Sequence, residues 1–308
     1  MRLLVLGNAG WDLVCPVPHL PRAGETLVTQ GHARAPGGKG LNQAVIAARA
    51  GAHVTLAAPV GRDAAADALM AVLAAEPLTF QPHRQNAVTD QSLLMVAPDG
   101  ENCILTFGAC ADCLSETEAE AATASLTSAD WLLLQGNLSA AATQAAMRRA
   151  KAQGARTMLN PAPLRWPVTD LLPLCDVIVA NAVEALQITA ESGLPAATAL
   201  HAMGAARAIV TLGAAGCAIA DTSGLRTHQA QRVRVIDTTG AGDTVCGVLA
   251  ARLLAGHRPD PALAEAMRAA ALTVQREGAF ASLPDAAALQ ALHLAPHAIT
   301  VDGGLTIT

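Results

Sequence analysis

The feature that most constrains the fold is a regular alternation of short apolar runs and longer alanine-rich runs in the second half of the chain. The predicted elements are strands at Trp131–Leu134, Thr157–Leu159, Val177–Val179 and Ala208–Thr211 and helices at Ala140–Ala152 and Ala182–Ala190. Strands that alternate with helices favour an α/β fold with a doubly wound, mostly parallel sheet flanked by helices. Such sheets bind ligands at the carboxyl ends of their strands, where Asn137, Asn160, Asn181 and Gly213 stand.

The first half predicts more of the same sheet, together with a second, smaller one. Strands are predicted at Arg2–Leu6 and His53–Val60, and helices at Leu41–Ala50 and Asp63–Ala75. Alternating segments interrupt this order at Leu13–Val17 and Thr26–Gln30, and again at Ser92–Ala97 and Asn102–Phe107, where Asp99-Gly100 marks a hairpin turn. We expect these segments to form a small antiparallel lid.

The remaining elements complete a single predicted domain over residues 1–295, with lid segments at about 11–35 and 90–108. Edge strands are expected at Cys217–Ala220 and Arg232–Ile236, and helices at Pro261–Val274 and Asp285–Leu292. Residues 296–308 form a tail to which the sequence assigns no role.

Composition argues against several partners. The net charge is −5, the arginines are scattered and aromatic residues make up 2% of the chain, so neither nucleic acid nor an anionic membrane surface is expected as a partner. Seven cysteines, an odd number mostly in apolar surroundings, indicate a reduced, cytoplasmic protein. The N-terminal MRLLVLGNAG is typical of a first strand rather than of a signal peptide.

The stretch DTTGAGDT, from Asp237 to Thr244, predicts an anion pocket at the start of a helix. Gly240, Ala241 and Gly242 leave backbone N–H groups accessible, and the helix dipole adds partial positive charge. Asp243 has two interpretations, an N-terminal cap of the helix or a general base that deprotonates a hydroxyl. Taken alone, the stretch does not decide between them.

A second glycine-rich stretch, Gly37-Gly38-Lys39-Gly40, precedes the first predicted helix. It lacks the spacing of a Walker phosphate loop, and no G-x-G-x-x-G follows the first strand, which argues against a nicotinamide dehydrogenase. Its glycines either allow close packing or let a small polar ligand approach Lys39 and Asn42.

Together these motifs resemble the ribokinase-like family of sugar kinases, also called phosphofructokinase B-type. The motifs are Gly24-Glu25-Thr26, GGKGLNQA, Asn160-Pro161-Ala162-Pro163, Asn181-x-x-Glu184, TLGAAG and DTTGAGDT, in the order of that family. They span most of the chain, and GGKG-x-NQA is most similar to the ribokinase branch. The resemblance implies ATP-dependent phosphorylation of a hydroxyl of an unphosphorylated sugar or polyol.

The resemblance also assigns roles to residues around the phosphates. Asp243 matches the catalytic base, and Gly240, Ala241 and Gly242 match the anion hole for the transferring phosphoryl group. Asn181 and Glu184 match the motif that orients Mg²⁺ through water, and Thr211, Gly213 and Gly216 match the segment that lines the nucleotide. The alternatives from the residues alone are an Asn cap followed by an exposed Glu, and an ordinary glycine turn.

The resemblance also implies a monovalent cation site beside the anion hole, as in family members that are activated by potassium. Its expected residues are Asp237, Thr239 through its carbonyl, Thr273, Arg276, Gly278 and Ser282. The alternative is that Asp237 merely ends a strand. In this family the lid is often covered by a second subunit, so a homodimer through the lid is also implied.

Asp12, Gly38, Lys39, Asn42 and Asn137 match sugar-binding positions. Gly10 and Asn137 depart from ribokinase proper, which has an asparagine and a glutamate there, so ribose itself is not assured as the acceptor. We expect Gly10 to open space for a larger substrate.

Two other functions remain open. A nucleoside kinase would stack a base on Trp11 or Phe107, although both aromatic residues suit packing within the lid. A sugar-binding regulatory protein on a kinase scaffold would not need Asp243 or the Asn181-x-x-Glu184 pair.

Overall fold

The computed structural model describes residues 1–29, 31–98 and 101–294. The strands in these residues are β1 Leu3–Leu6, β2 Gly10–Pro16, β3 Ala33–Gly37, β4 Val54–Val60, β5 Thr79–Arg84, β6 Gln91–Val96, β7 Asn102–Phe107, β8 Trp131–Gln135, β9 Arg156–Asn160, β10 Val177–Asn181, β11 Arg207–Thr211, β12 Cys217–Asp221 and β13 Gly224–His228. The helices are α1 Lys39–Arg49, α2 Ala64–Leu73, α3 Ala109–Asp112, α4 Glu116–Thr123, α5 Ala140–Ala152, α6 Ala182–Thr189, α7 Leu194–Ala202, α8 Ala241–Leu254, α9 Pro259–Thr273 and α10 Ala286–Leu294.

The main sheet has the strand order β13-β12-β11-β10-β9-β8-β1-β4-β5. Strands β11 to β5 of that order are parallel, whereas β12 and β13 join the β11 edge in antiparallel fashion. This order confirms the predicted doubly wound, mostly parallel sheet.

The central strands are buried on both faces because helices cover both sides of the sheet. Every residue of β1, β4 and β8 is buried, as expected for inner parallel strands. Alternate residues of β1 enter different cores: Leu3 and Val5 lie in the core that contains residues of α1, α8 and α9, and Leu4 and Leu6 in the core with residues of α5 and α7.

The lid is a four-stranded sheet with the order β3-β2-β6-β7. Pairs β2–β3 and β6–β7 are antiparallel, and the parallel pair β2–β6 joins them. The small lid sheet is therefore confirmed. The strand predicted at Thr26–Gln30 is wrong over Thr26–Thr29, which have no regular structure, and β3 takes its place. Gln30 and the Asp99-Gly100 turn lie outside the described residues.

Two further edge elements differ from the sequence prediction. The strand predicted at Arg232–Ile236 is not formed, and β13 at Gly224–His228 pairs with β12 instead. Strand β5 was not predicted, because its alternation of polar residues and Pro82 gives a weak strand signal. The tail, residues 296–308, lies outside the described residues.

Among the described residues, no helix combines the length and the apolar character that crossing a bilayer requires.

Candidate active site

The predicted site residues gather where the parallel strands end. In the sheet, Gln135 at the end of β8 pairs in register with Asn160 at the end of β9, and Asn181 at the end of β10 pairs with Thr211 at the end of β11. These polar side chains therefore share one edge of the sheet, as the strand order predicted.

Helices α1 and α8 bring the two glycine-rich motifs to this edge. They cross so closely at Gly247 that an added Cβ would lie 2.2 Å from Ile46 Cγ2 and 2.6 Å from the Gln43 carbonyl oxygen. The close approach places the first turn of α8 beside the first turns of α1. Asp243 thus meets Asn42 and Gln43, about 200 residues away in sequence.

Asp243 is buried, with 6% of its surface exposed, and side chains of α1 hold its carboxylate. Asn42 Nδ2 donates to Oδ2 at 3.3 Å and Gln43 Nε2 donates to Oδ1 at 2.9 Å. The N-cap of α8 is Gly240, not Asp243. Asp243 therefore does not cap its own helix, and its carboxylate is fixed from the neighbouring helix instead.

A chain of buried amides supports this carboxylate, and the sequence reasoning missed it. Gln43 Nε2 also donates to Asn160 Oδ1 at 3.1 Å, while Gln135 Nε2 donates to Gln43 Oε1 at 2.9 Å. Asn160 Nδ2 in turn donates to the Val179 carbonyl at 2.9 Å. Both glutamines are fully buried. The available signals were the Gln that directly follows Asn42 and the Gln at the end of an apolar strand.

The start of α8 has the geometry of an anion pocket. Gly240 has φ 81° and ψ −9°, a left-handed conformation that favours glycine. An added Cβ at Gly242 would meet no atom within 4 Å, so space for a ligand lies beside this turn. The first N–H groups of a helix have no intrahelical acceptors, and the dipole makes this end positive.

The two predicted halves of the cation site meet at Asp237. Its Oδ1 accepts hydrogen bonds from Thr239 N at 2.8 Å and Thr239 Oγ1 at 2.6 Å, and its Oδ2 accepts one from Gly278 N at 2.8 Å. Burial opposes ionisation, but these hydrogen bonds outweigh it and lower the pKa of Asp237. Asp237 therefore links the loop before α8 to the loop after α9.

The other residues of this set lie in the same region. Buried Thr273, at the end of α9, shares a hydrogen bond of 2.8 Å with Thr244 Oγ1 in α8. Arg276 N donates to the Thr273 carbonyl at 3.1 Å, and Ser282 Oγ donates to the Ala279 carbonyl at 2.9 Å.

Asn181 and Glu184 form a complete capping box at the start of α6. Asn181 Oδ1 accepts from Glu184 N at 2.8 Å, and Glu184 accepts from Asn181 N at 2.9 Å and from Asn181 Nδ2 at 2.8 Å. The alternative interpretation, an Asn cap followed by an exposed Glu, does not describe Glu184, which is buried with 9% of its surface exposed. Its charge reaches Lys39: the negative charge of Asp243 raises the pKa of Lys39 most, against burial, and Glu184 adds to the effect.

The segment after Thr211 forms a tight turn. Leu212 N donates to the Gly216 carbonyl at 2.8 Å, and both Gly213 and Gly216 have positive φ. An added Cβ at Gly213 would meet no atom within 4 Å. The turn thus presents a stretch of backbone without side chains at the same sheet edge as Asn181.

The lid contributes Asp12 to the other side of the site. Burial raises the pKa of Asp12 to about 6, a hydrogen bond from Ser92 lowers it, and the charges of Asp243 and Lys39 act in opposite directions. Asp12, Lys39 and Asp243 therefore belong to one electrostatic group. Within the described part of the chain, Asn42 Oδ1 and Asn137 Oδ1 are buried without a hydrogen-bond partner.

The expectation that Gly10 opens space for a larger substrate is wrong on the side where a Cβ would stand. An added Cβ would lie 2.2 Å from the carbonyl oxygen and 3.1 Å from Cβ of Asp90. Asp90 therefore fills the place that a side chain at residue 10 would take.

The two aromatic residues of the lid differ in their environments. Trp11 is 7% exposed, donates through Nε1 to the Ala65 carbonyl at 2.8 Å and lies under the Arg34 guanidinium. Phe107 is 59% exposed on β7. Trp11 therefore packs within the protein, whereas the Phe107 ring is accessible.

Comparisons with known proteins agree with this site. The family described as pfkB family carbohydrate kinase matches residues 2–286. A ribokinase of Haemophilus influenzae is 34% identical over 290 residues, covering 92% of this chain and 95% of the relative. A ribokinase of Staphylococcus aureus is 31% identical over 296 residues, covering 92% and 96%.

The solved structure of a ribokinase from Thermotoga maritima is also similar. It aligns with a TM-score of 0.86 at 25% identity and covers 95% of this chain and 99% of that one. Fold, motifs and relatives agree, and the chain belongs to the pfkB family of carbohydrate kinases, in its ribokinase branch.

Proposed function

We propose that this protein transfers the γ-phosphoryl group of ATP to a hydroxyl of an unphosphorylated pentose, hexose or related polyol, with Asp243 as general base. As a pfkB carbohydrate kinase, the chain is an ATP-dependent sugar kinase. The observation that carries the proposed mechanism is the position of Asp243, a buried carboxylate held by Asn42 and Gln43 at the N-terminus of α8.

In this mechanism, the oxygen of the sugar hydroxyl attacks the γ-phosphorus while Asp243 accepts the proton of that hydroxyl. The bond between that phosphorus and the bridging oxygen of ADP breaks, and ADP leaves with the bonding electrons. Backbone N–H groups at Gly240, Ala241 and Gly242, with the dipole of α8, stabilise the charge on the phosphoryl oxygens. Lys39 adds a positive charge close to Asp243.

The nucleotide is proposed to lie along the turn after β11, against Thr211, Gly213 and Gly216. Mg²⁺ would neutralise the phosphate charge and be held by Glu184 through water. The buried capping box supports this assignment, since it fixes the Glu184 carboxylate beside the Lys39 charge.

Potassium is proposed as an activator bound by Asp237, the Thr239 carbonyl, and residues of the segment Thr273, Arg276, Gly278 and Ser282. The support is that Asp237 ties the loop before α8 to Gly278. A cation there would stabilise the turn that ends in the anion hole, without contact with the sugar.

The acceptor is proposed to bind Asp12, Gly38, Lys39, Asn42 and Asn137. Free oxygens on Asn42 and Asn137 suit a polyhydroxylated molecule, because each accepts a hydrogen bond from a hydroxyl. The packing of Trp11 removes one of the two aromatic residues on which a nucleoside base would stack. The intact Asp243 arrangement disfavours a regulatory protein without activity.

We further propose a cytoplasmic homodimer of a single kinase domain, residues 1–295, that pairs through the lid. Edge strand β7 supports this pairing, since Ile104, Leu105 and Phe107 are 52%, 53% and 59% exposed. Light scattering at micromolar concentration tests it, and a monomer would contradict it.

The deciding experiment for the function measures ADP formation with Mg²⁺ and K⁺ over pentoses, hexoses, ketoses, polyols, nucleosides and sugar phosphates. We expect turnover with one or more unphosphorylated sugars or polyols. Turnover with nucleosides alone, or with none of the panel, would contradict the proposal.

A further inference from the structure

Asp90 is a buried acid that the proposed mechanism does not use. It is 3% exposed, and its Oδ1 accepts hydrogen bonds from Cys110 N at 2.9 Å and Ala111 N at 3.3 Å. Its Oδ2 is buried and has no hydrogen-bond partner in residues 1–29, 31–98 and 101–294. A buried carboxylate oxygen without a donor is unfavourable, and a ligand hydroxyl that donates to it would relieve this cost.

The lid places Asp90 beside the start of β2, two residues before Asp12. In the β2–β6 pair, Asp12 stands opposite Ser92, so both side chains point to the same face of the lid sheet. Asp90 precedes Ser92 by two residues and Gly10 precedes Asp12 by two, and Trp11 N donates to the Asp90 carbonyl at 3.0 Å. Asp90, which directly precedes β6, therefore lies beside Gly10, the first residue of β2.

Asp90 also lies near the second position that departs from ribokinase. Arg165, which donates through Nη1 to the Asn137 carbonyl at 2.7 Å, lies within electrostatic range of Asp90. Burial, the largest effect, raises the pKa of Asp90 to about 6, whereas Arg165 lowers it. Asp90 therefore adjoins Gly10 directly, and Arg165, which contacts the Asn137 carbonyl, acts on the charge of Asp90.

We propose that Asp90, which fills the space beside Gly10, determines acceptor specificity: its Oδ2 accepts a hydrogen bond from a hydroxyl of an uncharged sugar. This proposal rests on the proposed function. The acids Asp12, Asp90 and Asp243 outnumber Lys39 and Arg165, the cations that act on them, so sugar acids and sugar phosphates are disfavoured as acceptors.

The test uses Asp90→Asn in the full chain, with D-ribose and D-fructose as uncharged acceptors and D-gluconate as the acidic one. The amide keeps an oxygen for Cys110 N and Ala111 N but turns the free acceptor into a donor. We expect kcat/KM for the uncharged sugar to fall about 10- to 100-fold, mainly through KM, with an unchanged KM for ATP. The ratio of kcat/KM for that sugar to kcat/KM for D-gluconate should also decrease. Calorimetric titration of the same sugars without ATP should show the same loss of affinity.

Asp130→Asn is the matched control. Asp130 is likewise buried, at 6% exposure, and accepts hydrogen bonds from Arg2 N at 2.9 Å and Thr127 N at 3.0 Å. It lies at the amino end of β8, whereas the candidate site lies at the carboxyl ends of the strands. The Asp130→Asn variant should have a lower Tm and an unchanged KM for the acceptor. If Asp90→Asn does the same, Asp90 is only structural and the proposal is wrong.

Two results separate the proposals. A wild-type protein that phosphorylates no sugar overturns the proposed function, whereas an active wild-type protein whose Asp90→Asn variant keeps its acceptor KM overturns only the role of Asp90. If Asp90→Asn does not fold, Asp90→Ser removes the second oxygen while it retains an acceptor for Cys110 N, and the same expectations apply.

Discussion

The two sides of the candidate site differ in how their carboxylates are satisfied, although Gln135 Oε1, in the amide chain behind Asp243, is also buried without a partner among the described residues. On the phosphoryl side, both oxygens of Asp243, Asp237 and Glu184 accept hydrogen bonds from the protein. On the acceptor side, buried oxygens of Asn42, Asp90 and Asn137 have no partner in the described part of the chain. Asn42 belongs to both sides, since its Nδ2 contacts Asp243 and its Oδ1 is free.

The difference separates the reaction from its substrate. Groups fixed before the ligand arrives do not reorganise during phosphoryl transfer, which makes them effective in catalysis. Each free buried oxygen carries a cost of about 1–3 kcal/mol that a ligand hydroxyl relieves, whereas a ligand that lacks the hydroxyl leaves the cost in place. The phosphoryl side therefore defines the chemistry, and the acceptor side selects the sugar.

The largest expected effect comes from removal of the charge on the phosphoryl side. Asp243→Asn should lower kcat by about 10²- to 10⁴-fold, because the amide no longer accepts the hydroxyl proton. KM for ATP should stay unchanged, since the anion hole is backbone. A coupled ADP assay measures both. Asp221→Asn, in the Arg207 and Arg226 ion pairs, is the control and should retain wild-type kcat. If Asp243→Asn retains nearly wild-type turnover, Asp243 is not the general base.

The next effect tests whether the phosphoryl side depends on its amide chain. Gln43→Leu should lower kcat about 10- to 100-fold, because Asp243 loses the donor at 2.9 Å that fixes its orientation. KM for ATP should not change, which separates positioning from a general loss of structure. Gln153→Leu is the matched control, since its amide donates to the Ala124 carbonyl, and should keep wild-type kcat. Equal kcat in the two variants would show that Gln43 does not position Asp243.

The acceptor side should respond to pH. Burial raises the pKa values of Asp12 and Asp90 to about 6, so both carboxylates are ionised above that pH and take up a proton below it. A protonated carboxyl group is the weaker acceptor, so KM for the sugar should rise as the pH falls, by about tenfold per unit for each group required. Steady-state kinetics at saturating Mg²⁺ measures this. An acceptor KM that stays constant from pH 7 to 5 would contradict the role of both acids.

The smallest effect concerns the loop beside the anion hole. Replacement of K⁺ by tetramethylammonium should lower kcat several-fold, because a large organic cation cannot enter a site shaped by Asp237 and Gly278. In Asp237→Asn the response to K⁺ should disappear. An unchanged kcat in tetramethylammonium would count against the cation site.

The parts of the fold that the sequence predicts well are those with strong local signals. Strand β1, strand β8 and helix α5 show clear apolar runs or helical periodicity. The prediction failed at β3, β5 and β13, which are edge strands of the two sheets. At an edge, half of the strand faces solvent or a loop, so pairing depends on the neighbouring strand more than on the strand's own residues.

The site divides in the same way. Asp243, Lys39 and the Asn181–Glu184 pair lie in contiguous motifs, and the structure places them together. Gln135 and Asp90 were not found, because neither belongs to a local motif and each acts on a residue more than 70 positions away. Asp243 is not the N-cap of α8, because Gly240 occupies that position, and the crossing of α1 and α8 brings Asn42 and Gln43 to its carboxylate.

The most direct test of the contrast between the two sides is a crystal structure with ADP and an acceptor sugar that the activity panel identifies. We expect sugar hydroxyls within about 3 Å of Asp243, Asn42 Oδ1, Asn137 Oδ1 and Asp90 Oδ2, with the Asn42 and Gln43 contacts to Asp243 unchanged. A sugar bound elsewhere, with those oxygens still unpartnered, or a rearranged Asp243, would contradict it.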